Sequence, residues 1–88
     1  MRVGGVSTVQ ITLYSRPGCH LCDVMRETAR AAAREVGARF EEVDVDADPE
    51  TARRYDLEVP VLCVNGEKAF SIRVTRELLR ERLAREGR

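Results

Sequence analysis

The sequence predicts an α/β domain: a mixed four-stranded sheet flanked by three helices, in the order βαβαββα. Three observations predict it. Apolar residues alternate singly over 9–14, an amphipathic stretch follows directly, and two short runs near the end are joined by Asn65-Gly66. A strand–helix–strand opening requires a parallel pair with a right-handed crossover. The terminal hairpin adds an antiparallel pair, and the sheet is therefore mixed.

Residues 1–8, with Gly4, Gly5 and Ser7, read as a flexible tail before a single domain spanning 9–86. Val9 to Tyr14 forms the first strand, and Ser15-Arg16-Pro17-Gly18 the turn after it. Leu21, Val24, Met25, Thr28, Ala29, Ala32 and Val36 recur at three- and four-residue steps, the apolar face of a helix that Gly37 caps. Arg39 to Val45 is a second strand. Its alternation breaks between Phe40 and Val43, which predicts a bulge near Glu41-Glu42. Asp48-Pro49-Glu50 starts a short helix, with a side-chain acceptor followed by proline at the first helical position. Leu57 to Pro60 returns to extended chain, because the residue before proline disfavours the helical region. Val61–Val64 and Glu67–Ile72 then pair as the hairpin. Thr75 caps a last helix that turns Leu78, Leu79 and Leu83 inward and Arg80, Arg82 and Arg85 to solvent.

At 88 residues the chain is too short for a second core. Fifteen basic and fifteen acidic residues cancel, which predicts no nucleic-acid or anionic-membrane partner. No stretch approaches the roughly 18 apolar residues of a membrane span, and Met1 to Thr8 lacks the apolar region of a signal peptide, so a cytoplasmic location is expected. Three cysteines, two of them close together, point to redox or metal chemistry in a reducing compartment and not to a disulfide framework.

The chemistry lies at Cys19-His20-Leu21-Cys22, where the first strand hands over to the first helix. Unpaired N–H groups and the helix dipole favour negative charge there. Thiols in such motifs ionise at roughly pH 3.5–7, against about 8.5 for free cysteine. Cys19 is expected at the exposed mouth and Cys22 one turn in, more buried. Together they form a redox dithiol: Cys19 attacks a substrate disulfide and Cys22 resolves the mixed disulfide. Two ordinary helix cysteines, or a metal site, are the competing readings. Zinc takes four ligands, commonly as two pairs, and this chain has one pair, one His and one distant Cys, so redox is favoured and no metal ligand set is predicted. No ATP-binding loop, Ser/His/Asp set or dinucleotide fingerprint occurs.

The stretch Ile11 to Cys22, with Glu42-Val43-Asp44-Val45-Asp46 and Val59-Pro60-Val61, resembles the glutaredoxin family of the thioredoxin-like fold over residues 9 to about 85. The resemblance implies the same element order and catalysis by Cys19 and Cys22. It also implies a cis peptide bond before Pro60, facing the dithiol, with Val59 offering backbone hydrogen bonds to bound substrate. Arg16 would pair with a carboxylate of glutathione, or else be a solvated loop arginine. His20 replaces a proline common between the cysteines. As an imidazolium it would favour the Cys19 thiolate, or it simply points into solvent. The implied partners are disulfide-bearing proteins and a reductant, either glutathione or a thioredoxin reductase-like protein; no tightly bound cofactor is implied, and a monomer is expected.

The sequence departs from that pattern at two places. Glu58-Val59-Pro60 lacks the usual threonine, and Ser71 to Thr75 stands where the family has Gly-Gly and an acid, which weakens the case for glutathione against protein disulfides. A different function for the same cysteines is metal or iron–sulfur cluster binding between two subunits. Cys63, on a predicted central strand, reads as a small buried hydrophobe, with a regulatory thiol as the alternative.

Overall fold

The computed structural model describes residues 9–55 and 57–86, so the tail expected at 1–8 lies outside the described residues. The element order is β1 (Gln10–Ser15), α1 (His20–Val36), β2 (Arg39–Asp44), α2 (Pro49–Tyr55), β3 (Val61–Val64), β4 (Glu67–Ser71) and α3 (Arg76–Glu86). A single 3₁₀ turn, Val45–Ala47, which periodicity did not announce, links β2 to α2. The strands are ordered β2-β1-β3-β4, with β1 parallel to β2 and antiparallel to β3.

β1 and β3 sort their side chains by the pleat. Ile11, Leu13, Leu62 and Val64 turn to one face and meet Met25, Ala29 and Ala32 of α1 and Leu79 and Leu83 of α3. The opposite face carries Tyr14, whose ring lies 4.9 Å from that of Tyr55 on α2. Three expectations about faces need correction. In α1 the small residues Ala29, Ala32 and Ala33 take the buried positions, while Val24 and Val36 remain 51% exposed. In α3 the buried pair is Leu79 and Leu83, and Leu78 is 50% exposed. Arg82, expected in solvent, is instead tucked between Glu67 (2.8 Å) and Glu86 (3.1 Å).

The bulge expected in β2 is absent. Gln10 to Ser15 pair in unbroken register with Arg39 to Asp44. The irregularity falls instead at Leu62/Cys63, between β3 and β4. The pattern in β2 misled because Glu42 occupies an α1-facing position, opposite Leu13, where an apolar residue would be expected. At a sheet edge that position is filled by an ion pair: Arg26 of α1 reaches Glu42 at 2.8 and 2.7 Å.

The punctuation signals hold. Gly37 ends α1 in the left-handed region (φ 72°), the Asp48 carboxylate accepts from the Thr51 N–H (3.3 Å) and hydroxyl (2.7 Å), and the Thr75 hydroxyl accepts from the Leu78 N–H (3.1 Å). Asn65 (φ 52°) and Gly66 (φ 83°) are both left-handed, as the two-residue hairpin turn demands.

Candidate functional site

One end of the sheet gathers four chain segments. β1 ends there at Ser15; β2, parallel to it, ends at Asp44; β3, antiparallel, begins there at Val61 opposite Tyr14; and β4 ends there at Ser71 opposite Val61. The loops beyond these residues carry Arg16 to Cys19, Asp46, Val59-Pro60 and Ile72. Distant parts of the sequence are thus brought to one rim by strand pairing alone.

Arg16-Pro17-Gly18 turns the chain from β1 into α1, with Gly18 at φ 75°. Cys19 then stands at the N-cap of α1 in extended conformation (φ −99°, ψ 114°). Its Sγ accepts the Cys22 N–H at 3.1 Å, and its carbonyl accepts the Asp23 N–H at 3.1 Å. Sulfur therefore takes the role that a serine or aspartate oxygen has in an ordinary helix cap. Cys19 and Cys22 are joined as a disulfide, with Cα atoms 5.2 Å apart. Cys19 is half-buried, whereas Cys22 has no exposed surface. An incoming group can reach the first sulfur; the second is open only from within the site.

The Val59–Pro60 peptide bond is cis, and Pro60 is buried at the head of β3. Val59 is half-buried. His20, the first residue of α1, is exposed. Arg16 is neither simply solvated nor simply poised for a ligand: its Nε and Nη2 hold both carboxylate oxygens of Asp46, at 3.0 and 3.2 Å. An anionic substrate would compete with Asp46 for that fork.

Cys63 is 3% exposed on β3, on the Tyr14 and Tyr55 face, away from Cys22. Burial pushes its thiol above the usual range, partly offset by the hydrogen-bonding Tyr55 hydroxyl. On that face the Tyr14 ring packs on Tyr55. Among the described residues no group of three or more His, Cys, Asp or Glu side chains is placed to hold a metal ion. Nor is any helix among them long and apolar enough to cross a membrane.

One feature of the rim went unread in the sequence. Leu21, Val24 and Met25 of α1, with Ile72, Val74 and Leu78 opposite, line an apolar groove of about 320 Å³. The signal was present as an excess of apolar residues over what the core needs. Which of them would be left uncovered depended on how α1 and α3 lie on the sheet.

Residues 10–84 match the family model described as Glutaredoxin-like domain (DUF836). A structural-genomics target protein from X. campestris is similar to the chain at 35% identity, with 85% of this chain and 96% of that one covered and a TM-score of 0.71. A protein from Nitrosomonas europaea, solved in solution, matches at 23% identity, with coverages of 86% and 92% and a TM-score of 0.72. A mutant thioredoxin from Halobacterium salinarum matches at 20% identity, with coverages of 93% and 77% and a TM-score of 0.69. At that identity the likeness speaks to the fold, which is thioredoxin-like. No curated protein matches the chain.

Proposed function

Given that the chain belongs to the glutaredoxin-like domain family, we propose that it is a thiol–disulfide oxidoreductase working through Cys19 and Cys22. The observation that carries this reading is the position of the pair: Cys19 caps α1 at an accessible rim, and Cys22 is bonded to it from a fully buried position one turn in.

The reaction runs from the reduced dithiol. The Cys19 sulfur, as a thiolate, attacks one sulfur of a substrate disulfide; the substrate S–S bond breaks and one product leaves as a thiol after taking up a proton. The remaining substrate half is held as a mixed disulfide. Cys22, once deprotonated, attacks the Cys19 sulfur, expels the second thiol and restores the Cys19–Cys22 disulfide. Two electrons have passed from the dithiol to the substrate. The first turn of α1 favours the attacking charge, since the Cys22 N–H points at the Cys19 sulfur and the helix dipole has its positive end there. Exposure supports this division of roles, since the half-buried sulfur is the one a foreign disulfide can reach.

Val59 and Pro60 form the wall facing the pair and orient the substrate backbone. Arg16 reaches an anionic substrate by exchanging its Asp46 partner, and the exposed His20 stands next to Cys19 at the start of α1. Regeneration takes two electrons from an external thiol donor, either glutathione or a thioredoxin reductase-like protein, and the reducing cytosol is the setting that supplies them.

The test is reduction of a disulfide substrate by the native protein, Cys19→Ser and Cys22→Ser, with each donor supplied separately. Loss of all activity in Cys19→Ser, with the first product still released once per chain by Cys22→Ser, is the expected result. A fully reduced native protein that turns over nothing with either donor would sink the proposal.

A further inference from the structure

Ile72 combines three facts that are unusual together. It is a β-branched residue at φ 69°, a steric outlier for an isoleucine. It is partly exposed, at 38%. And it lines the apolar groove that begins at Leu21, between the two cysteines.

The turn that holds it is closed on both sides. The Ile72 N–H donates to the Pro60 carbonyl at 2.8 Å, and the Arg73 N–H donates to the Ser71 carbonyl at 2.7 Å. The first bond ties the residue to Pro60, at the same end of the sheet as the dithiol. Both amides are thereby spent inside the protein, and this stretch does not offer them to a carboxylate-bearing ligand. What it offers is a branched apolar side chain, held outward by a backbone conformation that glycine or asparagine would adopt more easily. Val24 across the groove and Leu78 on the same side as Ile72 are likewise half exposed. No core packing accounts for this outward placement, since the buried cluster closes without Ile72.

Building on the oxidoreductase reading, we infer that Ile72 is a specificity-determining residue, which selects protein disulfides whose cysteine is flanked by an apolar side chain that enters the groove. The occupant is an extended protein segment, because the groove starts at Leu21, the sequence neighbour of Cys22, and six of its eight lining residues are apolar, Arg73 and Thr75 being the other two. Ile72 acts by binding; it takes no part in the sulfur exchange.

The test uses two synthetic peptides that differ only in having Leu or Ser beside the cysteine, each presented as a mixed disulfide with 2-mercaptoethanol, and glutathione disulfide as a third substrate. The native protein is expected to favour the Leu peptide over the Ser peptide by about tenfold in kcat/KM, the discrimination that one buried apolar side chain ordinarily supplies. Ile72→Gly and Ile72→Asn, which both tolerate the left-handed conformation, bring that ratio close to one without lowering the thermal midpoint. A merely structural Ile72 would move the midpoint and leave the ratio alone. An unchanged ratio in both variants overturns the inference, and so does a native protein indifferent to Leu, Ser or glutathione. The same peptides in reduced form, titrated against the protein by methyl NMR, separate this inference from the oxidoreductase reading. If nothing is turned over, that reading fails; shifts at Leu21, Val24 and Leu78 caused only by the Leu peptide, and lost in Ile72→Gly, would still support the groove's selectivity, and their absence would overturn it.

Discussion

Arg26 on α1 and Glu42 on β2 meet in a two-point ion pair at 2.8 and 2.7 Å, and Glu42 also accepts the Ser15 hydroxyl at 2.6 Å. The pair fastens the first turns of the helix that carries the dithiol to the edge of the sheet.

A pH dependence follows from it. Arg26, and secondarily Ser15, hold the Glu42 carboxyl below its usual range. The folded value lies below the unfolded one, so the pair's contribution is complete above the unfolded value of about 4.5 and is lost as pH falls through the folded value. Both side chains are partly solvated, which limits the contribution to about 1 kcal/mol. Urea unfolding at neutral pH is expected to show Glu42→Gln less stable than the native protein by that amount, with the gap shrinking under acid. A gap independent of pH would mean that the charge contributes nothing.

Thiol labelling of the reduced protein separates the three cysteines. Cys19 is reachable, whereas Cys22 has no exposed surface. Cys63 is 3% exposed with its thiol pushed up by burial, and thiolate is the reactive form. Mass spectrometry after alkylation near neutral pH is expected to find Cys63 unmodified until denaturant is added. Labelling of Cys63 at the rate of Cys19 would contradict its placement.

The hairpin turn makes a second stability test. Gly66→Ala forces a side chain into φ 83° with nothing within 4 Å to clash, so its cost is backbone strain alone, about 1–2 kcal/mol. Asn65→Ala should cost at least as much. Beyond φ 52° it loses the Gln10 N–H bond at 2.9 Å and the Glu86 contact at 3.0 Å. Urea midpoints of the two variants check the order.

In α3 the neighbours Leu78 and Leu79 should behave oppositely. Leu79 has no exposed surface, and Leu79→Ala is expected to cost about 2–5 kcal/mol. Leu78 is 50% exposed, and Leu78→Ala should stay within about 0.5 kcal/mol. Equal losses would mean that the helix is rotated from the face described.

Much of this fold was legible in local chemistry. Asp48, Thr75, Gly37 and Asn65-Gly66 punctuate the chain because each satisfies a backbone requirement within a few residues of itself. β2 was misread for the opposite reason: Glu42 faces the helix layer only because Arg26, distant in sequence, neutralises it there.

By itself the sequence determined the order of elements, the mixed sheet and the position of Cys19 at a helix start, since these follow from periodicity, capping and turn preferences that act over a few residues. Strand pairing decided the rest. It brought Arg16 against Asp46, Pro60 to the rim beside the dithiol, and Ile72 onto a groove with Leu21. Which apolar residues stay uncovered is likewise a property of how helices lie on a sheet: α1 buries its alanines and leaves Val24 out, and no window of sequence contains the surface that makes that choice.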